Sequence, residues 1–221
     1  MGKPRSKELD EEGQQMKRHL VGILIFPEVE VLDFAGPFEV FSVTRLNEER
    51  RREEPSPFEV KLIAEKLEPI IASGGLRVLP DFDIDNCPPL DILVVPGGWG
   101  TRKEIENKHL IDWIRRLGNQ VETLTSVCTG SMLLGRAGLL DGLHATTHWR
   151  ALDWMRDSFP EVTVESSLHV VKDGRVFTSA GISAGIDMSL KVVAHYCGES
   201  IARATARQME YPFPENNARR V

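Results

Sequence analysis

The sequence predicts an α/β protein built on a mainly parallel sheet with helices on both faces, and three observations predict it. Strand-like apolar runs alternate with segments of helical periodicity along the 221 residues. Two of those runs, His19 to Phe26 and Asp91 to Pro96, are apolar without alternation, as strands covered on both faces are. Between a third run and a helix-like stretch stands Ser126-Val127-Cys128-Thr129-Gly130, a nucleophile type framed by small residues, which is the pattern of a nucleophile elbow.

The elements follow in order. His19 to Phe26 is the first strand. Pro37 to Leu46 places Phe38, Phe41 and Leu46 at helical spacing, then gives way to the charge run Asn47 to Glu54, a solvated loop. Phe58 to Ala64 alternates as a strand, and Asp91 to Pro96 is another, ended by Gly97-Gly98. Helix signals run from Lys103 to Leu117, with Gly118-Asn119 as the stop. The run Val121 to Thr125 leads into the elbow, and Ser131 to Ala137 leaves it as a helix. His148 to Ser158 reads as a helix stopped before Pro160. Two strands, Ser167 to Val171 and Arg175 to Ser179, flank the turn Lys172-Asp173-Gly174. Two helices close the pattern, Ser183 to Tyr196 and Ser200 to Met209, with Gly198 between them. No internal repeat or linker interrupts this order, so residues 19–210 read as one domain, preceded by a polar leader (1–18) and followed by a tail (211–221).

Composition bounds the partners. A formal charge of −6 offers no basic stripe for phosphates, which excludes a nucleic-acid role. Three cysteines, at 87, 128 and 197, form no CxxC pair, as in a reduced cytoplasmic chain. Residues 1–18 lack the apolar core of a signal peptide and read as a disordered leader. No apolar run reaches the length that spans a membrane.

The chemistry converges by topology. In a parallel sheet the ligand site lies beyond the carboxyl ends of the strands. Three segments meet there: Pro27 to Gly36, the Gly97-Gly98-Trp99-Gly100 loop, and the elbow. A tight elbow would aim Cys128 at a helix N-terminus, where the macrodipole favours the thiolate; a free cysteine packed in a core is the competing reading. Asp33, a carboxylate within Val31-Leu32-Asp33-Phe34-Ala35-Gly36-Pro37, has two roles open to it. It could cap the helix whose first turn holds Pro37. Facing Cys128 in a dry pocket, it would instead keep a proton and act as general acid and base. The backbone N–H groups of Gly98 and Thr129 are candidates to bind developing negative charge. Gly98-Trp99-Gly100 lacks the further glycines of a dinucleotide site, so no cofactor is expected. His144 and His148 stand four apart, but Thr146 and Thr147 between them disfavour a helix and no HExxH carboxylate is present, so no metal is expected. His148 reads as a pocket residue or a helix cap. Phe34, Trp99, His148 and Ile182 are the candidate pocket wall, because their loops border the site.

The segments Phe26-Pro27, Leu32-Asp33, Gly36-Pro37, Val94-Val95-Pro96-Gly97-Gly98, Ser126 to Gly130, Leu139 to Gly142, Ala145 to Trp149 and Ala180 to Asp187 together resemble the ThiJ/PfpI superfamily, which shares the class I glutamine amidotransferase fold. The resemblance implies a flavodoxin-like sandwich, and a homodimer. Two of its branches carry this version of the motifs. One is isonitrile hydratase, whose functional Asp, Cys and Thr map onto Asp33, Cys128 and Thr129; the other is the sensor half of AraC-type regulators. A protease or glyoxalase would carry Glu at Asp33, and the protease a His at Thr129. The implied reading is hydration of a small isonitrile, with ligand sensing, and redox or carbonyl chemistry at Cys128, as alternatives.

Overall fold

The computed structural model describes residues 18–220, so the expected leader lies, apart from Arg18, outside the described residues. Its centre is a seven-stranded sheet of order β10-β11-β7-β6-β1-β2-β5. These strands are β1 (His19–Leu24), β2 (Phe58–Ala64), β5 (Phe82–Asp83), β6 (Ile92–Val95), β7 (Thr123–Val127), β10 (Val170–Asp173) and β11 (Val176–Ser179). Every pairing is parallel except the β10–β11 hairpin. Two small pairs lie apart, β3 (Ile70–Ile71) with β4 (Arg77–Val78), and β8 (His144–Ala145) with β9 (Thr163–Val164).

Side chains of a strand alternate between faces. β6, β7 and β11 are nonetheless buried at every residue, so helices cover both faces. α1 (Val31–Val43), α6 (Ala184–Cys197) and α7 (Glu199–Gln208) pack against one another as one layer. α2 (Thr101–Glu104), α3 (Lys108–Gln120) and α4 (Gly130–Arg136) form the other. A seventh helix, α5 (Leu152–Ser158), lies beside β9. β1 has β2 on one side and β6 on the other, so the loops leaving β1 and β6 part and open a crevice beyond the strand ends. The α/β sandwich expected from the sequence is the one found.

The local departures have physical causes. The first helix begins at Val31 rather than Pro37, which lies inside it. Proline within a helix removes one N–H bond, here the one that Asp33 O would accept. The Lys103–Leu117 helix is two helices, because the Asn107 side chain accepts the Leu110 N–H at 3.3 Å and starts α3 afresh. Gly118 does not stop that helix; it is the contact that lets Leu139 lie against α3, where a Cβ would come within 2.5 Å. The hairpin turn is Gly174-Arg175, with Asp173 paired to Val176, and Gly174 takes the positive φ that a two-residue turn demands. Residues 211–220 lie along the β10 edge: His169 N–H donates to Asn217 O at 2.8 Å, and Asn217 Oδ1 accepts from Val170 N–H at 3.1 Å. Among the described residues no helix is long and apolar enough to cross a membrane.

Candidate active site

Cys128 sits between β7 and α4 with φ 56°, in the left-handed region that a non-glycine residue enters only under constraint. The constraint is visible. Its N–H is shared between Ser179 O (3.3 Å) and Ala180 O (3.1 Å). Its carbonyl accepts the hydroxyls of Ser131 (3.1 Å) and Thr147 (3.0 Å). Gly130 allows the turn: a Cβ there would lie 2.0 Å from Val95 O. The thiol is 6% exposed and receives the N–H groups of Thr129 and Ile182.

Asp33 is fully buried in the first turn of α1. It does not cap the helix, since Glu30 holds the cap position and makes no side-chain cap bond. Instead the Gly97 N–H donates to Asp33 Oδ2 at 2.9 Å, tying the loop after β6 to α1, while Oδ1 is buried without a well-formed hydrogen bond among the described residues. Burial pushes the Asp33 carboxyl up to about 8; the Gly97 bond opposes this, the Glu30 charge adds to it and the Cys128 thiol opposes it. Cys128 is pushed up too, first by burial and then by the Asp33 charge, against the opposing N–H groups of Thr129 and Ile182 and the Thr129 hydroxyl. Burial and the Asp33 charge act against the thiolate that the elbow was expected to favour. Desolvation of the sulfur is the largest of these effects, ahead of the hydrogen bonds that favour the thiolate. Burial thus favours the protonated form of both the Asp33 carboxyl and the Cys128 thiol.

Thr129 Oγ1 accepts the Gly98 N–H at 3.1 Å and meets Thr101 Oγ1 at 3.0 Å. The Gly98 N–H is therefore engaged by the Thr129 side chain, and the thiol receives the Ile182 N–H beside that of Thr129. Ile182 reaches it by taking φ 53°, and its side chain is 38% exposed. His148 accepts the Arg150 N–H through Nδ1 at 3.2 Å, capping the 3₁₀ turn Trp149–Ala151. Its ring also lies on Gly181, where a Cβ would come 2.2 Å from Cδ2. Burial, then Arg150 and Arg219, hold its imidazole below the ordinary range. Phe34 is 5% exposed and belongs to the hydrophobic core, turned inward by its place on α1. Trp99 is 65% exposed, with the Arg102 guanidinium 3.9 Å above its ring. Ser131, Thr147 and the backbone of Gly97 and Ile182 are the site groups that sequence reasoning passed over. Small residues in the Ala180-Gly181 turn were the one local signal for the last.

Comparison with known proteins gives the arrangement a lineage. A match to the DJ-1/PfpI family covers residues 19–195. Isonitrile hydratase of Pseudomonas putida is 37% identical over 195 residues, 88% of this chain and 79% of that protein. The HTH-type transcriptional regulator GbdR of Pseudomonas aeruginosa is 36% identical over 140 residues, which are 63% of this chain and 38% of the regulator. Among solved structures, a ThiJ/PfpI family protein from Pseudomonas syringae superposes with TM-score 0.78 at 28% identity, covering 97% of this chain and 85% of that one. The elbow, the Gly97 loop and the sheet that carries them lie within the matched span, and the chain belongs to the DJ-1/PfpI family.

Proposed function

We propose that the protein hydrates isonitriles, R–N≡C, to N-substituted formamides through Cys128. The observation that carries the reading is the Asp33–Cys128 pair, a carboxyl and a thiol buried side by side, each pushed toward its protonated form by burial. Isonitrile carbon must gain a proton and a nucleophile at the same atom, and this pair supplies both. In the first step Cys128 sulfur bonds to that carbon, Asp33 delivers its proton there, and the thiol proton passes to Asp33. The product is a thioimidate, R–N=CH–S–Cys128. Water then adds to the same carbon, giving one proton to Asp33 as Asp33 protonates the nitrogen. The C–S bond breaks as the hydroxyl proton returns to sulfur by way of Asp33, releasing R–NH–CHO and the free thiol. The N–H groups of Thr129 and Ile182 would steady charge on the departing sulfur, and the Thr129 hydroxyl would orient the proton exchange. Nucleophile, acid and base all come from the 19–210 domain.

The 37% identity with the Pseudomonas putida enzyme supports this reading. We further read the protein as a cytoplasmic homodimer taking a small-molecule substrate; light scattering should give twice the 24.8 kDa chain mass. The test of activity is loss of the isonitrile infrared band of cyclohexyl isocyanide. Cys128→Ala should abolish turnover, and Asp33→Asn should lower it by at least about 100-fold, as loss of a general acid does. A folded Cys128→Ala protein that keeps wild-type turnover ends the covalent mechanism. The kinship with GbdR favours a second reading, ligand sensing. That reading requires saturable binding of a small molecule and no product.

A further inference from the structure

A second cluster of chemistry-bearing side chains lies at the other end of the sheet. Val21 pairs with Ile92, and Ile92 with Thr123, so the residues one step back in β6 and β7, Asp91 and Glu122, stand side by side. His19 opens β1 next to them. One atom from each of His19, Asp91 and Glu122 falls within 4.8 Å of the others. His19 and Asp91 are half-buried and Glu122 is exposed, so the cluster opens to solvent on one side.

Two of the three groups are held in place. Asp91 Oδ2 accepts the Leu20 N–H at 2.7 Å, and Asp91 O accepts the Glu122 N–H at 2.9 Å. The His19 ring is packed between Tyr196, 4.5 Å away, and Phe58, 5.9 Å away. Yet His19 Nδ1 is buried with no hydrogen-bond partner among the described residues. Buried polar atoms are nearly always satisfied, so an orphan nitrogen on a ring that neighbours two carboxylates marks an arrangement short of one member. Two carboxylates drawn together also repel, and neither relieves the other.

The geometry points to a divalent metal site formed by His19, Asp91 and Glu122, which would tie the N-terminal ends of β1, β6 and β7 together. One imidazole and two carboxylates suit a borderline ion such as Zn²⁺ or Mn²⁺; Ca²⁺ and Mg²⁺ take all-oxygen sets. Three protein ligands leave room for water to complete the coordination. β7 spans its five residues between Glu122 and Cys128, about 17 Å of strand, so the metal stands apart from the thiol. The site joins segments that are remote in the chain, which makes its contribution one of stability: an ion bound only by the folded protein raises its melting temperature by mass action.

The experiment is calorimetric titration of the full-length protein with Zn²⁺ and with Mn²⁺, with thermal scans beside it, on the wild type, His19→Gln and Glu122→Gln. The wild type should take up one equivalent of each ion and melt at higher temperature in its presence. Mg²⁺ at the same concentration should do neither. Either substitution should weaken uptake at least tenfold and remove the thermal shift, while leaving the reactivity of Cys128 toward iodoacetamide unchanged. Glu122 is exposed, so its variant tests the site even where His19→Gln disturbs the Phe58 and Tyr196 packing. Wild-type protein with no saturable uptake, or Glu122→Gln protein that binds as tightly as wild type, overturns the assignment; the second result would put the metal on another group, Cys128 first.

Discussion

Asp33 is a carboxyl enclosed by protein with one backbone hydrogen bond, and that situation sets a pH signature. Its carboxyl is raised from the ordinary 3.8 to about 8, so between those values the unfolded chain loses a proton that the folded chain keeps. The folded state binds more protons there, and stability therefore falls as pH rises across that window, by at most about 1.4 kcal/mol per pH unit. Its contribution is intact below pH 4 and gone above pH 8. Asp33→Asn has no such proton to lose. Denaturant melts at pH 5 and pH 8 should show the wild type losing more stability than the variant; parallel losses would mean that Asp33 ionises freely. The same proton predicts that turnover declines as pH climbs through about 8, because the general acid disappears. The identities of Asp33 and Cys128 were legible in the sequence, from a carboxylate in an apolar run and a thiol in an elbow. Their protonation was not. It is set by burial together with the Gly97 and Ile182 N–H groups and the Glu30 charge, and no local pattern encodes how segments remote in the chain meet around Asp33 and Cys128. That burial also weakens the redox reading, since oxidation follows exposed thiolate.

At the scale of elements, the elbow is a strained turn held by hydroxyls from outside it. Thr147 comes from the loop after β8 and Ser131 from the first turn of α4, and each donates to Cys128 O. Thr147→Val keeps the shape of the side chain and removes one donor. It should cost about 1 kcal/mol of stability and depress turnover more than it depresses substrate binding, because the sulfur loses its aim. A Thr147→Ser variant, which restores the donor, should recover turnover; failure of that rescue would show that Thr147 acts only by filling space. The long strands were readable: β1, β2 and β6 begin and end close to the apolar runs that announce them. The two-residue strands β3, β4, β5, β8 and β9 were not, since two residues carry no period. Proline misled at α1. Read as a first-turn residue it started the helix at Pro37, and only the packing of α1 on α6 shows that the helix had begun at Val31 and placed Asp33 on the inward side.

At the scale of the whole molecule, the last ten described residues complete the core. Asp187, on α6, has a side chain 1% exposed. Its Oδ1 accepts the Tyr211 hydroxyl at 2.8 Å, its Oδ2 meets Arg220 Nη2 at 2.5 Å, and His169 Nε2 stands 3.3 Å from the same oxygen. Two of these three partners belong to the segment 211–220. Arg219 from the same segment donates to Thr147 O at 3.1 Å, one residue's backbone away from the hydroxyl that holds Cys128. A chain ending at Glu210 would leave the Asp187 carboxylate in the interior without its cation. Asp187 is buried while Arg220 is half-exposed, so losing these partners costs on the order of 1–3 kcal/mol, which in a protein of this length lowers the melting temperature by roughly 5 °C. The truncated chain should also lose turnover, because Thr147 loses its brace. Asp187→Asn within the truncated chain removes the unpaired charge, and should recover part of the melting temperature while leaving turnover low. Recovery of both together would reduce the segment to a counter-ion for Asp187, whereas recovery of stability alone makes residues 211–220 a structural part of the site that Cys128 occupies.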